Sequence, residues 1–352
     1  MSPATARMFV FTLLLFALIP NCRAQYYSIT DLGTLPNDTT SMAWGMNLSE
    51  KVVGASEGGG SNGIHGFLWT KENGMTDFGC GQSFASAINT GGRVVGSCGP
   101  NSMTETAFLW TEAGGLENLG ALPGGTYSGA NAINDATQVV GTSGTGGVPP
   151  GNLHAFYWTK SGGMEDLGTL PGGTFSLGNG INDAGQVVGY AAIDAQSDYH
   201  AFMWTKLGGM VDLGVLAGGT HSDAAAINAE GQMVGSSDSA NSSPNVRATF
   251  WTEAGKIKNL GKLTGANYSF AAAINDAGQI VGESGPQGAD ASHAVIWNQN
   301  HDLSDLNSAL CPNSGWILTS ARAINALGEI AGYGTINGQT HGFLAKPIEA
   351  CK

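Results

Sequence analysis

The sequence predicts an all-β chain folded as a seven-bladed β-propeller, with four antiparallel strands in each blade. Three observations lead there. One motif recurs seven times, and its Asn anchors fall 42, 45, 48, 46, 47 and 50 residues apart. The repeat array opens on a fourth-strand segment and closes on a third-strand segment. Finally, 55 of 352 residues are Gly and only 12% are charged, against roughly 7% and about 25% in average soluble proteins. That much Gly disfavours helices. Its spacing lacks the every-third rule of collagen, and a 42% hydrophobic content disfavours disorder.

The repeat is read strand by strand. Its first strand precedes the Asn and alternates small with variable residues, as in Tyr127 to Ile133. Two and four residues before every Asn stands Ala or Gly, which suits a strand packed closely near the axis. Asn-Asp-Ala-Gly then makes a tight hairpin turn. Gln186-Val187-Val188-Gly189 represents the second strand, rich in β-branched residues. His154-Ala155-Phe156-Tyr157-Trp158 is the aromatic third strand, and Met164-Glu165-Asp166-Leu167 belongs to the fourth. Four short strands in about 46 residues is the sequence pattern of a propeller blade.

The ends of the array specify closure. Tyr27 to Pro36 is a fourth strand without a blade before it, and Phe343-Leu344 is a third strand without a fourth after it. The N-terminal strand is therefore expected to complete the last blade, leaving no open sheet edge. A β-solenoid would need capping ends and gives no reason for this offset.

Residues 1–24 read as a secretory signal peptide: Arg7, an apolar run from Met8 to Ile19, then Cys22-Arg23-Ala24 before Gln25. The run is too short for a membrane span of about 20 residues. Residues 25–352 are then a single propeller domain, extracellular or periplasmic. Loss of Arg7 and Arg23 takes the net charge from −13 to −15. With 14 basic residues in all, a nucleic-acid partner is not expected. Cys80, Cys98, Cys311 and Cys351 remain, an even number suited to disulfides in an exported chain. Three pairings exist. Cys80–Cys98 within one repeat is favoured, and with it Cys311–Cys351.

In these residues the chain resembles the HAF repeat proteins, named for a His-Ala-Phe sequence. His154-Ala155-Phe156 and His200-Ala201-Phe202 match in full, while His65-Gly66-Phe67 and His341-Gly342-Phe343 carry Gly for Ala. Thr106-Ala107-Phe108, Arg247-Ala248-Thr249 and His293-Ala294-Val295 depart further. The resemblance spans essentially the mature chain. It implies an extracellular bacterial repeat protein and brings no catalytic residues with it.

Chemistry has few markers. His65, His154, His200, His293 and His341 occupy one repeat position, which suits a hydrogen bond between neighbouring strands or loops. Asp135, Asp183 and Asp276 should bond their own turns. The sparse carboxylates disfavour calcium there, and no C-x-x-C pair suggests zinc. The repeated Trp is expected to pack between blades. Neither His-Glu-x-x-His nor a phosphate-binding loop occurs, so neither cofactor nor metal is expected and catalysis is disfavoured.

Asymmetry between the faces points to the candidate site. The turns joining strands 1–2 and 3–4 are short and uniform. The 2–3 loops vary, as in Ser97 to Glu105, Thr142 to Leu153, Ala191 to Tyr199 and Ser236 to Val246. Variation marks the binding face. Seven residues before the Asn stand Thr40, Gln82, Tyr127, Phe175, His221, Tyr268 and Leu318, expected to ring the channel mouth on that face. Gln82, Tyr127, Phe175, His221 and Tyr268 from this set, with Asp223 and Arg322 just below, form the candidate ligand site. Aromatic rings beside polar groups suit a carbohydrate or protein ligand. The expectation is a monomeric, non-enzymatic binding module. The alternative is a polysaccharide-degrading hydrolase or lyase using the same mouth.

Overall fold

Each repeat forms one four-stranded antiparallel sheet, and seven sheets make a closed ring. The computed structural model describes residues 26–58, 63–100, 104–146, 153–195, 198–239, 246–286 and 292–351. The expected signal peptide lies outside them, as do parts of the variable 2–3 loops. Blade 1 runs through strands Thr40–Met46, Val52–Glu57, Ile64–Thr70 and Gly74–Asp77, and blades 2 to 6 repeat this order. Blade 7 takes three strands, Trp316–Ile324, Ile330–Ile336 and Gln339–Ile348, from the C-terminal end. Its fourth is the N-terminal strand Tyr26–Asp31, with Ile29 opposite Ala345. The closure expected from the repeat offset is therefore the closure observed.

First strands of neighbouring blades touch, so they line the axis. They depart from simple alternation in one respect. In every blade the register shifts three residues before the Asn, where Trp44, Ser86, Asn131, Asn179, Ala225, Ala272 and Arg322 are left unpaired. Such a bulge bends the strand and increases its twist. It also accounts for Gly in Val-Val-Gly. A Cβ on Gly54, Gly96, Gly141, Gly189, Gly235, Gly282 or Gly332 would meet a first-strand carbonyl oxygen at 1.7 to 2.1 Å. In the hairpin turns Gly185 adopts φ 76°, and Thr137 takes the equivalent place in blade 3 at φ 62°.

Apolar side chains fill the spaces between blades. Trp158 and Phe156 of blade 3 pack against Val95, Ala107 and Leu109 of blade 2, and Trp204 of blade 4 meets Tyr157 of blade 3. The Trp residues thus pack between blades as expected. Burying each such ring contributes about 2 to 3 kcal/mol.

Polar clips fix the spacing. The turn Asn donates to the main-chain oxygen of the next turn Asn, from Asn47 to Asn89 at 3.1 Å and onward through Asn275 to Asn325 at 3.0 Å. Its Oδ1 meanwhile accepts from its own turn, as when Gln186 N donates to Asn182 at 3.1 Å. The turn Asp corrects the expectation: Asp135 accepts from Thr90 N at 3.0 Å, Asp183 from Asp135 N at 2.9 Å, and Asp276 from Ala229 N at 3.0 Å. Each reaches the preceding blade, because Asn already serves the local backbone. A buried first-strand Ser is a further clip. Ser222 Oγ accepts from Ala201 N at 2.8 Å and donates to Gly214 O at 2.7 Å.

Four of the five repeated His residues, His154, His200, His293 and His341, behave as expected. His154 bonds Asp166 at 2.9 Å, His200 bonds Asp212 at 2.8 Å and His293 bonds Asp305 at 2.6 Å, each joining third to fourth strand. His341 makes the same bond to Asp31, across the ring closure. Cys80–Cys98 and Cys311–Cys351 are both disulfides. Leu318 departs from the expected mouth ring. Blade 7 bulges a second time between Leu318 and Ser320, and Leu318 is fully buried with Tyr27, Leu306 and Trp316.

Candidate functional site

On the variable-loop side, side chains from blades 4 to 7 converge into one arc. It begins with a chain of rings. Phe175 meets Tyr190 edge-on at 6.2 Å, Tyr190 meets Tyr199 at 5.0 Å, and Tyr199 meets His221 at 4.6 Å between centroids. His221 belongs to blade 5 and the other three to blade 4. Its Nδ1 lies 3.4 Å from Asp238 and its Nε2 3.4 Å from Asp198, so carboxylates hold both sides of the imidazole.

Asp223 continues the arc two residues on. Ser236 Oγ donates to its Oδ2 at 3.1 Å. Burial pushes the carboxyl up to about 6, against the pull of that hydrogen bond. Asp223 is in electrostatic reach of Tyr190, Tyr199 and Tyr268. Burial first, then Asp223, pushes the Tyr190 phenol up to about 12 and moves Tyr199 in the same direction.

Blades 6 and 7 complete it. Tyr268 donates its hydroxyl to Glu283 at 2.8 Å. Burial, with the Glu283 charge adding to it, drives this phenol far above its ordinary range. Arg322, on the bulge of blade 7, lies 3.4 Å from Glu283 and donates to Tyr333 at 3.2 Å. Its guanidinium also sits over Phe270 at 5.8 Å and Tyr333 at 5.7 Å. The bulge aims Arg322 back across the blade interface, because the unpaired residue leaves the ladder.

Of the candidate residues, Phe175, His221, Asp223, Tyr268 and Arg322 therefore belong to one array. Gln82 and Tyr127 stand in blades 2 and 3, apart from it. Tyr127 is near Glu105, whose Oε2 accepts from Ser97 at 2.8 Å and whose Oε1 is buried without a hydrogen bond. The sequence reading missed Tyr190, Glu283 and Tyr333. All three follow the Gly of Val-Val-Gly, where the repeats read Ala55, Ser97, Thr142, Tyr190, Ser236, Glu283 and Tyr333. That column varies as much as the first-strand positions and would have revealed them. Tyr199, also missed, stands just before the third-strand His200.

A second opening lies at the uniform-turn end of the channel. This basin of about 270 Å³ is lined by all seven turn Asn residues, the apolar residue before each, and Asp135, Asp183 and Asp276. Its polar rim is engaged in the Asn and Asp clips. Among the described residues, no group of three His, Cys, Asp or Glu is arranged to hold a metal ion. Nor is any described helix long and apolar enough to cross a membrane.

No family model matches the chain, and no curated protein matches it in sequence. Solved structures do. The β-propeller domain of the Trilobed protease from Pyrococcus furiosus is 9% identical, covering 90% of this chain and 96% of that one, with a TM-score of 0.59. A streptogramin B lyase is 9% identical over 91% of this chain and 98% of its own, at 0.54. An acylaminoacyl peptidase from Pyrococcus horikoshii is 10% identical, covering 90% of this chain and 53% of that one, at 0.56. At such identities the likeness is one of fold, and in fold the chain is a seven-bladed β-propeller.

Proposed function

We propose that the protein is an exported binding module that takes a carbohydrate at the variable-loop mouth of its channel, and does so as a monomer. The observation that carries this reading is the arc itself. A chain of edge-on and tilted rings from Phe175 to His221 stands beside Asp223, Tyr268, Glu283 and Arg322, which is apolar surface with a few placed polar groups. Two disulfides and the leader-like N-terminus support export. So does the resemblance to HAF repeat proteins. A glycan array on the purified chain tests the reading. Binding that Tyr199→Ala and Tyr268→Ala abolish is expected; a glycan held equally by both variants would place the site elsewhere, and a blank array would remove the carbohydrate reading.

One observation favours a second reading, a hydrolase or lyase at the same mouth. A carboxyl held near 6 suits general acid–base work close to neutral pH, and Tyr199, which packs on His221, lies within its electrostatic reach. One propeller of similar fold is a streptogramin B lyase. Product release from any array-positive polysaccharide, lost in Asp223→Asn while binding persists, would establish that reading.

A further inference from the structure

We infer that the ligand carries a protonated amine and that Asp223 is its seat, so that amino sugars are the carbohydrate class this mouth prefers. The inference rests on the carbohydrate reading above and adds the charge of the ligand to it.

Charge balance around the arc leads to it. Glu283 is matched by Arg322 at 3.4 Å and by the Tyr268 hydroxyl at 2.8 Å. Asp198 and Asp238 both face His221 at 3.4 Å. Asp223 is different. Among the described residues its hydrogen-bond partner is the neutral Ser236, and no Lys, Arg or His forms an ion pair with it. A half-buried carboxylate with one neutral donor is costly unless a cation joins it.

The surroundings suit a cation. Tyr190 and Tyr199 of blade 4 and Tyr268 of blade 6 lie within electrostatic reach of Asp223. Aromatic faces attract an ammonium group, as Phe270 and Tyr333 already attract the Arg322 guanidinium in the next interface. The titratable groups nearest Asp223 are thus three phenols, with the His221–Asp238 pair beyond Tyr199 and the Glu283–Arg322 pair beyond Tyr268. None of the phenols can neutralise it. A neutral sugar hydroxyl would leave the charge in place. An acidic sugar would meet Asp223 and a chain of net charge −13.

Two probes of equal length separate the outcomes: a β-linked glucosamine tetramer and its fully N-acetylated counterpart, titrated calorimetrically at pH 6.5. The free amine is expected to bind at least about tenfold tighter, the effect of one unit of preferential ionisation. Asp223→Asn should erase that preference, bringing the affinities of the two tetramers together. In the unaltered protein the preference should shrink as pH falls from 6 to 5, where Asp223 takes up its proton while the sugar amines are already largely charged. Equal affinity for both tetramers, or a preference flat across that range, overturns the inference while leaving the carbohydrate reading intact. Binding of neither tetramer, when other glycans on the array bind, also overturns it. A blank array removes both.

Discussion

Gly189 faces the carbonyl oxygen of Leu177 so closely that a Cβ on it would stand 1.9 Å away. The contact arises because the first strand bulges at Asn179 and pushes its backbone into the second. Replacing Gly189 with Ala therefore forces two backbones apart, and we expect a loss of about 3 kcal/mol or more. Gly168, with φ 71° and open space around its Cα, is the control. Gly168→Ala should cost about 1 to 2 kcal/mol, from backbone conformation alone. Urea melts of both variants, read for midpoint at constant slope, check the ranking.

Thr137 points the other way. It is a β-branched residue at φ 62°, where five other repeats place Gly. Thr137→Gly should stabilise the fold by about 1 kcal/mol, relief of steric strain outweighing the added freedom of the unfolded chain. Calorimetric melting would show a rise of a few degrees at most, as befits a chain this long. A lowered Tm would show that Thr137 makes a contact worth more than its strain.

Ser176 tests the clip between blades 3 and 4. Its Oγ accepts from Ala155 N at 2.9 Å in a buried setting. Ser176→Ala leaves that N–H without a partner, at a cost of about 1 to 3 kcal/mol. Hydrogen exchange at the Ala155 amide should quicken more than at the Val187 amide in the neighbouring second strand. A uniform change across both would mean that the clip has no local role.

These tests also show what could be read from the chain. Turn chemistry is written in residue types, and Asn-Asp-Ala-Gly announces a hairpin wherever it occurs. The bulge leaves no such mark. Its unpaired position holds Trp44, Ser86, Asn131 and Arg322 in different blades, because an unpaired residue answers to the channel and not to the ladder. The same bulge turns Arg322 onto Glu283, a contact between residues 39 positions apart in the chain. Leu318 failed for a related reason: a second bulge turned it inward, and nothing in Ile317 to Ser320 distinguishes a bulged strand from a flat one. Asp223 was legible as a polar residue at the mouth, but its isolation depends on which side chains the next blades bring.

That isolation makes Asp223 a cost to the unliganded fold at neutral pH. Its carboxyl rises from 3.8 to about 6 on folding, so the folded state holds its proton more tightly than the unfolded one. Below pH 3.8 both states are protonated and no penalty exists. As pH climbs from there the unfolded state ionises first, and above about 6 the penalty is complete, at up to about 3 kcal/mol. Asp223→Asn should therefore be more stable than the native chain at pH 7.5, with the gain vanishing toward pH 4. Denaturant melts at the two values check the sign. A gain independent of pH would show that the substitution acts through packing.

Arg322 and Glu283 provide the complementary case, a partly buried pair whose charges match. Arg322→Met alone leaves Glu283 with only the Tyr268 hydroxyl, and we expect a loss of about 3 kcal/mol. Glu283→Gln alone leaves Arg322 without its counter-ion, with Tyr333 still accepting one hydrogen bond at 3.2 Å. The double variant should recover much of either loss, because removing both charges removes the uncompensated one. The cycle of four melts isolates the coupling between the two residues. If the two losses simply add, the 3.4 Å contact carries no energy, and the guanidinium is held instead by the rings of Phe270 and Tyr333. In that event Phe270→Leu should destabilise the chain more than Glu283→Gln, which reverses the order expected from the ion pair.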